Sequence, residues 1–167
     1  MEHLVRPVRE QDAPAIAALL NEIIAAGAFT IMDGPITADD QLAYIRGFPE
    51  RGTFYVALLP DDRTVLGIQS VEPISPSANA LKHVGDISTF VALDSRGSGI
   101  GTSLSRVTFR EARAKGFLKL MATIRSDNPN AVSFYSSQGF TPIGVAHKHA
   151  YVQGRYIDEV MMERLLD

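Results

Sequence analysis

The 167-residue chain is 46% hydrophobic and 21% charged, the balance of one ordinary soluble domain able to bury about two thirds of its unfolded surface. Sixteen basic against nineteen acidic residues leave a net charge of −3, which disfavours a basic face for nucleic acid or anionic lipid, and the absence of cysteine removes disulfides, thiolate nucleophiles, iron–sulfur clusters and Cys-built zinc sites. No apolar run approaches the roughly 18–20 residues of a membrane-spanning helix, and Met1–Arg6 lacks the apolar core of a signal peptide, so the expectation is a cytoplasmic protein with one domain over residues 1–167.

Leu4–Arg9 is expected as a first strand, in which Pro7 cannot donate to a ladder and belongs at an edge or bulge. Asp12 is placed to cap a helix with Pro14 in its first turn. Ile16, Leu19, Leu20, Ile23 and Ile24 then recur at helical spacing until Gly27. A second short helix starts at Thr37, with Asp40 completing a capping box, and stops near Gly47. The period then changes. Phe54–Leu59 and Val65–Val71 are the arms of a hairpin, joined through the turn residues Pro60-Asp61-Asp62-Arg63. Residues 73–80, rich in Pro, Ser and Asn, form a loop before a strand over Val84–Leu93. Ile100, Leu104 and Val107 give the stripe of a helix that runs to Lys115 and stops at Gly116. Leu118–Ile124 is a strand and Asn130–Gln138 a short helix closed by Gly139. Residues 141–151 and 155–165 are two strands joined through Gln153-Gly154. This order predicts an α/β sheet with helices on both faces.

The most informative segment is Phe90-Val91-Ala92-Leu93-Asp94-Ser95-Arg96-Gly97-Ser98-Gly99-Ile100-Gly101-Thr102: a strand, a glycine-rich turn and a helix. Free N–H groups and partial positive charge at a helix N-terminus, with glycines that admit close approach, suit a phosphate or diphosphate. A tight turn with no ligand is the alternative. Glycines at 97, 99 and 101 do not follow the dinucleotide spacing, and no lysine precedes Thr102 as a Walker A loop requires.

Arg96-x-x-Gly99-x-Gly101 resembles the acyl-coenzyme A diphosphate loop of the GNAT superfamily of N-acetyltransferases. Asn128-Pro129-Asn130-Ala131-Val132-Ser133-Phe134-Tyr135-Ser136-Ser137-Gln138-Gly139-Phe140 resembles that family's second signature, Asn-x-x-Ala ending in Tyr-x-x-x-Gly-Phe. The likeness spans nearly the whole chain. It is greatest to the phosphinothricin and methionine sulfoximine acetyltransferases, whose Glu-x-x-Val-Tyr-Val strand and Gly-x-Trp-x-Asp hairpin are paralleled by Asp86–Val91 and Gly154–Asp158. The resemblance implies a GNAT fold, with a mixed sheet of about seven strands, helices on both faces and a splayed acyl-CoA cleft. It implies acetyl-CoA as acyl donor, no metal, a small amino acid or amino-acid-like toxin as acceptor, and often a homodimer. Aspartate stands at position 86 for glutamate, Phe90 for tyrosine and Tyr156 for tryptophan; the last two departures bear on the acceptor more than on the cofactor.

Acetyl transfer to an amine of pKa near 10 needs a group to accept the amine's proton and another to protonate the leaving thiolate. Asp86, ten positions before Arg96, is the candidate base, directly or through a water; pairing with His83, or electrostatic binding of the ammonium, is its alternative. Tyr135 is the candidate acid by resemblance, against an aromatic in the core, and Phe134 and Phe140 are assigned to packing. For the cofactor, the resemblance assigns the backbone of Thr89, Phe90 and Val91 to the pantetheine amides. The N–H groups of Gly97, Ser98, Gly99, Ile100, Gly101 and Thr102 are assigned to the diphosphate, Arg96 to its charge, Asn128 to the pantetheine arm and an N–H near Val91 to the thioester carbonyl. Phe29 is a candidate for the acceptor pocket or for ordinary packing, and His149 for the acceptor pocket or a pair on the sheet. His147 and His149 share a strand face, but no third ligand lies nearby in sequence and no metal is expected. Without cysteine or a Ser-His-Asp pattern, direct attack in a ternary complex is the expected course. Protein or peptide acetylation, and a non-catalytic acyl-CoA sensor, are the rival functions.

Overall fold

The computed structural model describes residues 1–167, and its elements follow the expected order. They are β1 (Leu4–Pro7), α1 (Ala13–Ala26), α2 (Ala38–Arg46), β2 (Thr53–Leu58), β3 (Val65–Pro73), β4 (Val84–Val91), α3 (Ile100–Ala114), β5 (Lys119–Arg125), α4 (Pro129–Ser137), β6 (Thr141–Val152) and β7 (Arg155–Leu165). The seven strands form one sheet in the order β1-β2-β3-β4-β5-β7-β6.

Residue alternation along the strands divides the core between the two sheet faces. On one face, Phe54, Val56 and Leu58 of β2 and Ile68 of β3 pack against Ile16, Leu19, Leu20 and Ile23, the apolar stripe of α1. On the other, Ala57 and Leu66 meet Ile100 and Leu104 of α3. That face continues under α4, where Val71, Ile87, Leu120, Ala122, Ile124 and Met162 surround Phe117, Tyr135 and Phe140.

Local chemistry sets several ends. Thr37 Oγ1 accepts from Asp40 N and Asp40 Oδ2 accepts from Thr37 N, both at 3.0 Å, so the predicted capping box of α2 is present. Gln153 (φ 49°) and Gly154 (φ 80°) supply the left-handed pair that a tight β6–β7 hairpin demands. Asp12 does stand at the N-cap of α1, but its side chain makes no capping bond there. Arg6 donates to both of its carboxylate oxygens at 2.8 Å and the Arg9 N–H donates at 2.7 Å, so the carboxylate is held by β1 instead.

The feature that makes a site is a break between β4 and β5. All neighbouring strands run antiparallel except these two, which are parallel and pair only over Val84, Gly85 and Asp86 against Lys119, Leu120 and Met121. Beyond Asp86, β4 keeps its ladder with β3 and β5 its ladder with β7, leaving the sheet open between them. Gly85 lets the two halves close tightly at the base of the opening: a Cβ there would lie 2.5 Å from Val71 Cγ1 and 3.0 Å from Leu120 Cδ2.

Candidate active site

The opening between β4 and β5 widens into a cleft of about 1430 Å³. It is lined by every candidate residue named from the sequence except Ser98, which lies in the glycine turn without facing it. Their positions divide the cleft into two halves. Asp86, Ser88 and Phe90 project from β4 towards α1 and α2, and Thr89 projects towards α3 and α4.

Main-chain alternation gives β4 a second function. Ala92 N donates to Leu66 O at 2.9 Å and Ile74 N to Val84 O at 3.1 Å, which fixes the even-numbered residues of β4 as those bonded to β3. The amides of Thr89 and Val91 therefore turn towards the gap, and that of Phe90 turns to β3, leaving Phe90 to line the cleft with its ring.

The glycine turn closes one end. Gly97 (φ 75°) and Gly99 (φ 82°) are left-handed, and a Cβ at either would meet nothing within 4 Å. Gly99 is the N-cap of α3 and offers no side chain to it, so the first N–H groups of the helix face the cleft without protein partners. Gly101 serves a different need. A Cβ there would lie 2.7 Å from the ring of Phe134, which thus forms cleft wall as well as packing, while Phe140 is core as expected. Asn128 caps α4 by accepting from Ala131 N at 3.3 Å and also lines the cleft.

Tyr135, on the buried side of α4, reaches the gap from the α3–α4 face. Its Oη lies 2.9 Å from Thr89 Oγ1, and Gln69 Nε2 donates at 3.0 Å both to Thr89 Oγ1 and to Ser105 Oγ. Gln69 is wholly buried, so this chain of polar groups is held inside the sheet. Burial raises the Tyr135 pKa; the Thr89 hydrogen bond opposes that shift and the Asp86 charge adds to it. The phenol stays protonated throughout the neutral range.

Asp86 reaches the gap from the opposite face. Its side chain is exposed to the cleft, and no protein group hydrogen-bonds it; His83 is not its partner. Desolvation first, and then the carboxylate of Glu72 directly across β3, push its pKa up to about 6. Tyr44 Oη donates to Glu72 Oε2 at 3.0 Å and holds that second carboxylate in place.

The loop between α1 and α2 covers the half of the cleft that holds Asp86, with Phe29, Thr30, Ile31 and Met32 among its walls. The Arg96 guanidinium sits 3.9 Å from the centroid of the Phe29 ring, so the glycine turn and this loop touch directly. Arg125, which sequence reasoning did not single out, anchors the loop from beneath. Its Nη1 donates to Gly27 O at 3.1 Å and Thr30 O at 2.9 Å, and its Nε and Nη2 grip Asp127 at 2.8 Å each. Glu159, also missed, is the Cα partner of Arg125 and lines the same half. Neither carries a local sequence signal: Arg125 ends its strand, and β7 holds several other charged residues.

Two expectations are corrected. His147 and His149 do not share a strand face: Ala146 pairs with Glu159 and Ala150 with Ile157, a bulge in which Lys148 adopts φ 49°. His147 Nδ1 lies 3.0 Å from Asp158 Oδ2 at the surface, whereas His149 lines the cleft. Tyr156 is 63% exposed and packs at a tilt against Tyr151 with ring centroids 5.0 Å apart, and it is not among the residues that line the cleft.

The sequence model of the acetyltransferase (GNAT) domain family matches residues 5–161. The phosphinothricin N-acetyltransferase of Alcaligenes faecalis is 26% identical over 164 residues, covering 98% of this chain and 82% of that one. The L-amino acid N-acyltransferase of Escherichia coli (strain K12) is 26% identical over 163 residues, 98% and 94% of the two chains. A solved GNAT superfamily phosphinothricin acetyltransferase from Sinorhizobium meliloti, in complex with AcCoA, shares the fold with a TM-score of 0.89 at 22% identity, over 99% of this chain and 89% of that one.

Proposed function

This chain belongs to the GNAT acetyltransferases and is thus an acyltransferase, and we propose that it transfers acetyl from acetyl-CoA to the amine of a small amino-acid-like acceptor by direct attack in a ternary complex. One observation carries the reading. A carboxylate with pKa near 6 and a protonated phenol flank one gap in the sheet, and the glycine turn ends the same cleft.

The residues fit the donor. Open space around Gly97 and Gly99 leaves the backbone free to approach a diphosphate, the N-terminal amides of α3 supply donors, and the unpaired amides of Thr89 and Val91 suit the pantetheine arm, with Asn128 beside it. When bound, acetyl-CoA supplies an acyl group activated as a thioester. Asp86 takes the proton of the acceptor ammonium, through a water because aspartate is short, and a pKa near 6 leaves it ionised and ready at neutral pH. The Val91 N–H holds the negative charge that develops on the carbonyl oxygen. With Gln69 donating to Thr89, the Thr89 hydrogen goes to Tyr135 Oη, and the Tyr135 proton is left for the departing sulfur. The low dielectric that raises the phenol also raises the basicity of that thiolate, which keeps the two matched.

The α1–α2 loop closes the acceptor half into a pocket, which supports a small acceptor over a peptide, and reaction on acetyl-CoA supports a cytoplasmic setting. No helix of the chain is long and apolar enough to cross a membrane. A homodimer formed through β6 is also proposed: this strand is a free sheet edge on which Ile143 and Val145 are half exposed. Light scattering on the purified protein tests it.

Thiol release with acetyl-CoA and a panel of amino acids tests the function. Tyr135→Phe should lower kcat about 10²-fold or more while the KM for acetyl-CoA holds. Tight coenzyme A binding with no turnover of any amine would identify a sensor instead.

A further inference from the structure

We propose that Glu159 is a specificity residue that binds a second protonated nitrogen of the acceptor, so that the preferred substrates carry two cationic nitrogens on a short aliphatic chain. The inference rests on the acetyl-transfer reading above and names its substrate class. Glu159 is only 4% exposed, lines the acceptor half of the cleft, and receives no side-chain or main-chain hydrogen bond. Its cross-strand neighbour Arg125 attracts it, but the guanidinium spends its hydrogen bonds on Asp127 and the carbonyls of Gly27 and Thr30, so the carboxylate itself has no donor. His149, at the same end, makes no bond to it. A buried carboxylate that Arg125 attracts but does not hydrogen-bond keeps its lone pairs free for a donor from outside the chain.

The surrounding charge points the same way. Asp86 and Asp40 line this half and Glu72 lies behind Asp86; Arg125 is shared between Asp127 and Glu159, Asp127 also binds Arg155, and Arg96 stands over Phe29 at the diphosphate end. A phosphinate or second acidic group on the acceptor would meet like charge here; an ammonium or guanidinium would not.

Register sets the span. Asp86 is the partner of Met121 and Glu159 that of Arg125, four residues further along β5 (125 − 121), so the two carboxylates share a sheet face. At about 3.3 Å per residue and about 4.8 Å per strand spacing, their Cα atoms lie roughly 16 Å apart. Side chains on one face stand roughly parallel, so an acceptor whose reacting amine meets Asp86 through a water and whose second nitrogen meets Glu159 has to bridge most of this interval, which calls for an aliphatic chain between the two nitrogens.

The test measures thiol release with L-lysine, L-ornithine and 1,4-diaminobutane against the neutral counterparts L-norleucine, L-norvaline and butylamine. A hydrogen-bonded charge pair is worth about tenfold to a hundredfold, so kcat/KM should favour the dicationic acceptors by that factor. Glu159→Gln, which keeps size and fold, should raise KM for them by the same factor without raising KM for acetyl-CoA, and Glu159→Asp should restore part of the loss. Lysine and ornithine outperforming 1,4-diaminobutane identifies a basic amino acid; the reverse identifies a diamine. Norleucine turned over as efficiently as lysine, or a Glu159→Gln loss equal for both, overturns the proposal. Should no amine be turned over, the acetyl-transfer reading fails. Calorimetry of lysine and norleucine on the coenzyme A complex then decides for Glu159 alone, since equal binding of both, or of lysine to wild type and Glu159→Gln, refutes it.

Discussion

Asn in place of Asp86 should make the protein more stable and less active at once. The carboxyl is moved from an ordinary 3.8 to about 6, chiefly by burial and then by Glu72, so the folded state binds its proton about two units more tightly than the unfolded chain. At about 1.36 kcal/mol per unit the full effect is near 3 kcal/mol. Because the group opens on the cleft and is screened there, about 1–2 kcal/mol is the expected share. The sign follows from linkage. A raised carboxyl stabilises the fold fully below about 3.8, and that contribution is lost as pH rises through about 6. Asp86→Asn removes the ionised form, so its advantage over wild type is greatest above pH 7 and fades towards pH 4. For a chain of this length the gain is about 2–8 °C in Tm. Melts followed by circular dichroism at pH 8 and pH 5 check it, alongside a large fall in kcat/KM. A variant no more stable than wild type at pH 8, or equally stabilised at both pH values, would refute the assignment of a desolvated carboxylate.

Glu72→Gln removes the like charge across the β3–β4 ladder, and the pH at which kcat/KM reaches half its plateau should fall below about 6; an unmoved midpoint in the pH–rate profile would separate Glu72 from the Asp86 proton. Gly101→Ala should disturb the cleft wall, because the new methyl lies 2.7 Å from the Phe134 ring, and should weaken coenzyme A binding about tenfold by calorimetry. Gly99→Ala meets no atom but must hold φ near 82°, so it should lower stability by about 1–2 kcal/mol in thermal or denaturant melts, with Gly99→Asn losing less.

The order of elements was legible because each was signalled locally: helical spacing from Ile16 to Ile24, the Thr37–Asp40 box, and Gly154 in a turn that needs positive φ. The glycine turn was legible for the same reason, since Gly97 and Gly99 answer to backbone conformation alone. What escaped depends on partners far along the chain. The Asp12 carboxylate was read as a cap, but Arg6 of β1 claims it through a doubly bonded pair. Arg125 acts on carbonyls 95 and 98 residues away, and nothing beside it in sequence announces them. The bulge at Lys148 is also silent, because lysine is no turn former, and it undid the reading that put His147 and His149 on one face. Glu159 was hidden by the rule that finds buried positions from apolar residues, a rule blind to a buried charge.

Asp86 and Thr89 are three residues apart on one strand (89 − 86), and an odd spacing sends side chains to opposite faces. In an unbroken sheet that would put a base and the tether of an acid on two sides of a wall, which argues against their acting on one reaction. Pairing between β4 and β5 stops at Asp86, however, so from there onward no wall exists. The acceptor can enter from the α1–α2 face, where Phe29 and Asp86 lie, and the donor from the α3–α4 face, where Tyr135 and the glycine turn lie. Addition to a thioester carbonyl needs the amine at one face of the planar acyl group with a base beside it, and an acid within reach of the sulfur when the tetrahedral adduct collapses. The odd spacing and the missing ladder together provide that geometry, and neither would do so alone.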